Sequence, residues 1–204
     1  MNNFIAKIFA ACLLLTIISY WFIPSSYEIR NEKPRGLNIV CFGDSLTAGV
    51  GAADGMDYPA QLSRLIGEEV VNAGVPGDTT SEALARIGQV IELQPRIVLI
   101  TLGGNDLKNG VSKTAAFKNL AEIVRRFQAI GALVVIGGIE VPFWGRGFGD
   151  AYKELARKTG SLQVPNVFEG IIANSALMSD QIHPNGQGYG IMSRHFYKVI
   201  KPYI

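Results

Sequence analysis

The chain has few of the residues that build metal sites and disulfide frameworks. It contains two cysteines, Cys12 and Cys41, and two histidines, His183 and His195. Cys12 lies in a long apolar run and Cys41 in a short run typical of a buried strand, so we expect no disulfide between them. The histidines and cysteines do not have the spacing of a metal site. We therefore expect neither a metal ion nor an organic cofactor.

An excess of charge of one sign is also lacking. Lys and Arg number 19, Asp and Glu number 17, and the formal net charge is +2. Because there is no block of basic residues, the sequence gives no electrostatic reason to expect nucleic-acid binding. The 204 residues suffice for one domain with its own core, and we expect a monomer.

One long hydrophobic run stands near the amino terminus. Residues 8–23 (IFAACLLLTIISYWFI) carry no charge. Extending the run back to Phe4 gives the length of about 20 residues that a membrane-spanning helix needs. Two interpretations of residues 1–23 stay open, an uncleaved anchor in the inner membrane and a cleaved signal peptide. Both predict export to the periplasm or cell envelope. Residues 24–36 are polar and are interpreted as a linker to a domain over residues 37–204.

Strands and helices alternate along residues 37–204. Runs of Val, Ile and Leu predict strands at 37–42, 70–72, 96–102 and 132–136, and a weaker run at 166–168 predicts a fifth. Apolar spacings of three and four predict intervening helices, among them one over 80–93. Such a pattern indicates an α/β protein whose parallel sheet is covered on both faces. Functional residues are then expected at the carboxyl ends of the strands.

A serine follows the first predicted strand, in Gly43-Asp44-Ser45-Leu46. A serine hydroxyl needs a base to become a nucleophile. Asp180 and His183 are three residues apart, which lets a carboxylate accept the imidazole Nδ1–H and leaves Nε2 free for the serine proton. Taken alone, each segment also fits an ordinary turn. His195 has no such carboxylate and is interpreted as structural.

Acyl transfer also needs hydrogen-bond donors for the developing oxyanion. Three candidates follow predicted strands: the backbone N–H of Ser45, the backbone N–H of Gly77 and the side-chain amide of Asn105. Gly77 and Asn105 lie in segments that could each be a simple turn. Their combination with the Ser, Asp and His segments favours a nucleophilic hydrolase. Asp44 is interpreted as a structural residue of the serine turn.

Four segments together resemble the sequence blocks of the GDSL, or SGNH, hydrolase superfamily. They are Gly43–Leu46, Asn72–Thr79, Gly103–Asp106 and Asp180–Pro184. The resemblance spans residues 37–200 and is nearest to the bacterial thioesterase, lysophospholipase and arylesterase branch. It implies a flavodoxin-like three-layer α/β/α sandwich with a mostly parallel five-stranded sheet.

The same resemblance implies the site residues. Ser45 is the expected nucleophile, His183 the general base and Asp180 the carboxylate that orients it. Ser45, Gly77 and Asn105 are the expected oxyanion hole. Phe143 and Trp144 lie in a glycine-rich segment that matches no motif, and they are interpreted either as substrate-binding residues or as parts of a surface loop.

The resemblance implies a serine esterase that cleaves carboxylic esters or thioesters through an acyl-serine intermediate. The apolar amino terminus, which could associate with a membrane through residues 4–23, favours lysophospholipids or other single-chain acyl esters as substrates. Two alternatives stay open. One is a carbohydrate O-deacetylase that acts on envelope polysaccharide or peptidoglycan, and the other is a catalytically silent, membrane-tethered binding domain.

Overall fold

The computed structural model describes residues 27–141 and 147–204. Within these ranges the strands are β1 (Asn38–Gly43), β2 (Val70–Gly74), β3 (Pro95–Thr101), β4 (Leu133–Gly137) and β5 (Leu162–Val164). The α-helices in the same ranges are α1 (Ser45–Ala48), α2 (Tyr58–Ile66), α3 (Thr80–Ala85), α4 (Ile87–Ile91), α5 (Gly104–Lys108), α6 (Lys113–Ala129), α7 (Phe148–Thr159) and α8 (Gly186–Ile200). Short 3₁₀ turns cover Ser175–Leu177 and Lys201–Tyr203.

The five strands form one sheet in the order β2-β1-β3-β4-β5, and each neighbouring pair is parallel. This is the strand order of flavodoxin-like folds. Strands β1, β3 and β4 are buried almost throughout, which explains their continuous Val, Ile and Leu runs. The prediction of an α/β protein with a five-stranded parallel sheet is confirmed.

Helices cover both faces of this sheet. Successive side chains of a strand point to opposite faces. Cys41 lies beside Tyr58 of α2, whereas Phe42 contacts Phe127 of α6 with the ring centroids 5.5 Å apart. On the first face, Tyr58 stacks on Phe196 of α8 at 5.1 Å. On the second face, α6 contacts α3 and α7. The result is the three-layer arrangement that the sequence resemblance implied.

The carboxyl ends of the three neighbouring strands β2, β1 and β3 are aligned. Gly43 is paired with Gly74 on one side and with Thr101 on the other. The segments that follow these residues therefore leave the sheet at the same edge. They are the serine turn, the turn that contains Gly77 and the segment that contains Asn105.

Two local predictions are wrong. The fifth strand is β5, which ends before the predicted 166–168, because the Asn166 side chain accepts the Phe168 N–H at 3.0 Å and turns the backbone. The helix predicted over 80–93 is two helices, α3 and α4, separated at Arg86. The apolar period continues through both helices, so the pattern alone does not reveal the interruption.

Residues 27–36, within the predicted linker, run along the amino ends of the strands. The Tyr27 hydroxyl donates to the Ser161 carbonyl at 2.6 Å, next to the start of β5. The Asn31 amide donates to the Ala132 carbonyl at 2.9 Å, next to the start of β4. In the part of the chain that the structure describes, no helix is both long and apolar enough to cross a membrane. The predicted anchor or signal peptide, residues 1–23, lies outside that part.

Candidate active site

Ser45 is the first residue of α1 and follows β1 after a single intervening residue, Asp44. The Asp44 carboxylate caps this short helix by accepting the Leu46 N–H at 3.0 Å. Its side chain is buried, and burial raises the Asp44 pKa to about 7, assisted by the nearby carboxylate of Asp78. Asp44 thus shapes the turn, while Ser45 stays half-buried at the edge of the sheet.

His183 lies between Ser45 and Asp180. Its Nε2 is 3.0 Å from the Ser45 Oγ, and its Nδ1 is 2.7 Å from an Asp180 carboxylate oxygen. Both distances are those of hydrogen bonds. The His183 side chain is 14% exposed, and that of Asp180 is 52% exposed, so the imidazole is shielded while the carboxylate faces solvent. The fold therefore brings the Ser45 hydroxyl to a histidine–aspartate pair that lies 138 residues further along the chain.

The loop around Asp180 is closed by its own carboxylate. One carboxylate oxygen accepts the backbone N–H groups of Ile182 and His183 at 2.8 and 2.7 Å. The His183 imidazole, followed by these backbone groups, lowers the Asp180 pKa to about 2. Asp180 is therefore ionised at neutral pH, and its carboxylate can accept the imidazole Nδ1–H.

Asn105 lies in the first turn of α5, at the carboxyl edge of β3. The helix is preceded by Gly103, whose φ of 114° is a left-handed conformation that favours glycine. The Asn105 amide nitrogen donates to the Asp78 carbonyl at 2.9 Å and lies 3.4 Å from the Asp44 carboxylate. Asn105 lines the same cleft as Ser45 and His183.

Gly77 lies in the exposed turn between β2 and α3. The Asp78 N–H donates to the Val75 carbonyl at 3.2 Å, and Gly77 has a φ of 91°. With proline at position 76, this is a type II turn, which requires a positive φ at Gly77. The Val75 N–H donates to the Gly43 carbonyl at 2.9 Å and ties the turn to the end of β1. Gly77 thus borders the site through its neighbour Asp78 rather than lining the cleft.

The cleft beside Ser45 has a mainly apolar wall. Its volume is about 460 Å³, with the solvent-filled space at its mouth included. The lining residues beyond the predicted set are Leu46, Gly104, Lys108, Ile139, Val141, Phe168, Ile172 and Ile182. Sequence reasoning missed this wall because it is assembled from loops after several strands.

Comparison with known proteins shows the family of this chain. Residues 41–191 match the model of the GDSL-like Lipase/Acylhydrolase family. This chain belongs to that family. Esterase TesA of Pseudomonas aeruginosa is 27% identical over 97% of this chain and 98% of its own length. Thioesterase 1/protease 1/lysophospholipase L1 of Escherichia coli K12 is 30% identical over 81% of this chain and 84% of its own length.

Solved structures of related esterases have the same fold as this chain. The crystal structure of TesA matches with a TM-score of 0.78 and 28% identity over 82% of this chain and all of TesA. The esterase EstA from Pseudoalteromonas, solved inhibited by monoethylphosphonate, matches with a TM-score of 0.72 and 26% identity over 81% of this chain and 97% of EstA. The predicted family and the class of enzyme, a GDSL-type serine hydrolase, are confirmed.

Three further predictions for this GDSL-family chain concern Phe143 and Trp144, His195, and the presence of a metal site. Phe143 and Trp144 fall in residues 142–146, outside the described residues, and their substrate-binding role stays a prediction. His195 is half-buried on α8, and burial lowers its pKa. Over residues 27–141 and 147–204, no cluster of three or more His, Cys, Asp or Glu side chains could hold a metal ion.

Proposed function

We propose that this chain hydrolyses acyl esters or thioesters through a covalent intermediate on Ser45. The observation that carries the proposal is the continuous hydrogen-bond path from Asp180 through His183 to the Ser45 hydroxyl, with links of 2.7 and 3.0 Å. This is the arrangement by which a base activates a serine.

The reaction begins when the Ser45 Oγ attacks the ester carbonyl and its proton passes to His183 Nε2. The ionised Asp180 orients the imidazole and stabilises the imidazolium. His183 then returns the proton to the leaving alcohol or thiol, which leaves an acyl group on Ser45. A water molecule, deprotonated by His183, releases the carboxylic acid and restores the serine.

The oxyanion formed in both steps meets three donors in this proposal. They are the backbone N–H groups of Ser45 and Gly77 and the side-chain amide of Asn105. Two observations support the Ser45 and Asn105 donors: Ser45 is at the amino terminus of a helix, and Asn105 lines the cleft beside it. Gly77 is included because its turn is hydrogen-bonded to the end of β1 and because the next residue, Asp78, is bonded to Asn105.

The substrates we propose are lysophospholipids or other esters with a single acyl chain. A hydrocarbon chain could pack on the apolar wall of the cleft beside Ser45. This wall is formed by Ile139, Val141, Phe168, Ile172 and Ile182. Residues 4–23 would direct export of the enzyme either as an anchor or as a cleaved signal, and as an anchor they would also hold it at a membrane.

The test is a series of p-nitrophenyl esters from acetate through butyrate and octanoate to laurate, with the full chain in a mild detergent. We expect kcat/KM to rise with chain length, because each buried CH₂ contributes about 0.8 kcal/mol, or about fourfold. Ile172→Ser should lower the rate with laurate but not with acetate. Ile130→Ser, an exposed isoleucine outside the cleft lining, should change neither.

Three outcomes would contradict parts of the proposal. Activity restricted to acetate would favour the carbohydrate O-deacetylase. If Ile130→Ser and Ile172→Ser had equal effects on the rate with laurate, the apolar wall would not be the surface that binds the acyl chain. Hydrolysis of none of the esters would favour the catalytically silent binding domain.

A further inference from the structure

Arg86, between α3 and α4, contacts two of the turns that surround the proposed oxyanion hole. Its Nε donates to the Asp78 carboxylate at 2.6 Å, and one terminal nitrogen donates to the Gly43 carbonyl at 3.0 Å. The guanidinium lies 4.5 Å from the centre of the Phe42 ring. Gly43 leads into the Ser45 turn, and Asp78 directly follows Gly77. One side chain thus joins the turns that carry two of the three proposed donors.

Asn105, the third proposed donor, is hydrogen-bonded to Asp78, the partner of Arg86. The Asn105 amide donates to the backbone carbonyl of Asp78 at 2.9 Å. Asp78 is therefore held at three points: its carboxylate by Arg86, its carbonyl by Asn105 and its N–H by the turn with Val75. The relative positions of Ser45, Gly77 and Asn105 depend on where Asp78 lies.

A contribution to the stability of the fold does not by itself explain the Arg86–Asp78 ion pair. The Arg86 and Asp78 side chains are 17% and 10% exposed, so both charges are largely removed from water. The desolvation of two charges offsets most of their attraction, and buried ion pairs often contribute little net stability. What the guanidinium does provide is a rigid, planar set of donors that reaches two acceptors with a fixed separation.

We propose that Arg86 is a positioning residue that sets the geometry of the oxyanion hole through Gly43 and Asp78. The proposal rests on the function proposed above. It deepens that function, because it concerns how the donors are held rather than which residue attacks. Donors misplaced by about 1 Å are expected to cost about a hundredfold in rate. The serine, histidine and aspartate themselves do not touch Arg86 in this account.

The experiment compares Arg86→Lys and Asp78→Asn with a matched control at the opposite edge of the sheet. Arg96 also bonds a carboxylate and a backbone carbonyl: its terminal nitrogen is 2.6 Å from Glu68, and its Nε is 3.3 Å from the Leu37 carbonyl. Arg96→Lys therefore removes the same kind of contact far from Ser45. Asp78→Asn keeps the shape of the side chain and an acceptor oxygen for Arg86, so it perturbs the same contact from the other partner without changing side-chain volume.

We expect Arg86→Lys and Asp78→Asn to lower kcat about 10- to 100-fold on a p-nitrophenyl ester, with KM changed less than about threefold. The pH dependence of kcat should keep its shape, because the path from Asp180 to Ser45 is intact. Arg96→Lys should leave kcat within about twofold, even if it lowers the unfolding temperature as much as Arg86→Lys does, because Arg96 lies at the amino end of β3, far from Ser45.

The proposal is overturned if both site variants keep wild-type kcat, or if kcat falls only in proportion to the unfolded fraction measured by circular dichroism. A parallel Ser45→Ala variant separates this failure from failure of the proposed function. If Ser45→Ala is inactive while Arg86→Lys and Asp78→Asn are fully active, only the positioning role is wrong. If Ser45→Ala remains active, the proposed nucleophile itself is wrong.

Discussion

At the residue scale, Asp44 is a buried carboxyl group directly before Ser45, the proposed nucleophile. Burial raises its pKa from 3.8 to about 7, because the Leu46 N–H compensates only part of the lost hydration. The folded state then binds a proton that the unfolded state has released between pH 4 and pH 7. The stability contributed by Asp44 is therefore complete below about pH 4 and is lost as the pH rises through about 7.

This linkage gives a prediction about pH. The free energy of unfolding of the wild type, measured by denaturant titration, should fall between pH 4 and pH 7 more steeply than that of Asp44→Asn, which has no proton to lose. The same substitution at the exposed Asp54 should leave the wild-type slope unchanged. Parallel slopes for wild type and Asp44→Asn would show that Asp44 is already ionised in the folded state at pH 4.

A contact between two side chains is easiest to predict from the sequence where the two residues are close in the chain. Asp180 and His183 are three residues apart, and the bonds between them depend on a single loop. Arg86 gave no such signal, because its partners Asp78 and Gly43 are 8 and 43 residues away in the chain. The sequence alone does not show which of the 19 basic residues approaches a site.

At the scale of elements, the serine turn is packed directly against β2. A Cβ added to Gly74 would overlap the backbone nitrogen of Ala48 and lie 2.7 Å from the carbonyl carbon of Thr47. Both atoms are main chain of α1, so a rotamer change cannot relieve the overlap. Residue 74 has to be glycine for the helix that carries Ser45 to approach the sheet this closely.

Gly74→Ala is therefore expected to destabilise the protein by about 1–3 kcal/mol, as overpacking does. It should also lower esterase activity, because the relief of the overlap moves α1. The control is Gly88→Ala on α4, where an added Cβ meets no atom within 4 Å. That change should be neutral or stabilise by about 0.5–1 kcal/mol. Thermal unfolding of both variants gives the comparison, and equal stability of Gly74→Ala and wild type would contradict this packing.

Element boundaries were harder to predict than the elements themselves. The strands β1, β3 and β4 could be predicted because burial on both faces leaves an unbroken apolar run. The edge strand β5 has 3 residues and two half-buried positions, so its pattern is no stronger than that of the following turn at Asn166. A side-chain hydrogen bond at Asn166, rather than hydrophobicity, decides where the chain turns.

At the scale of the whole molecule, the two ends of the sheet carry different parts of the chain. Ser45, Asn105 and His183 gather at the carboxyl edge, as expected for a parallel sheet. Residues 27–36 run along the amino edge and bond to the segments before β4 and β5. Composition alone identified this stretch as polar but not its contacts, because those contacts use backbone carbonyls that every sequence offers.

The cleft is likewise formed by the whole fold rather than by one element. Its apolar wall joins residues after β4 and β5 to Ile182 beside the histidine. Family resemblance predicts the residues that react, since their types are fixed by the chemistry. The wall can be any set of apolar side chains of suitable shape, so only the assembled fold shows which residues form it.

The central claim is that Ser45 is the nucleophile, and covalent labelling tests it most directly. The full chain, wild type and Ser45→Ala, is treated with a fluorophosphonate probe and measured by intact-protein and peptide mass spectrometry. Ser63→Ala, a serine that bonds the Glu68 carbonyl outside the cleft, serves as the control. We expect one adduct on Ser45 in wild type and in Ser63→Ala, and none in Ser45→Ala. An adduct on Ser45→Ala at the wild-type rate, or on another serine of the wild type, would contradict the account.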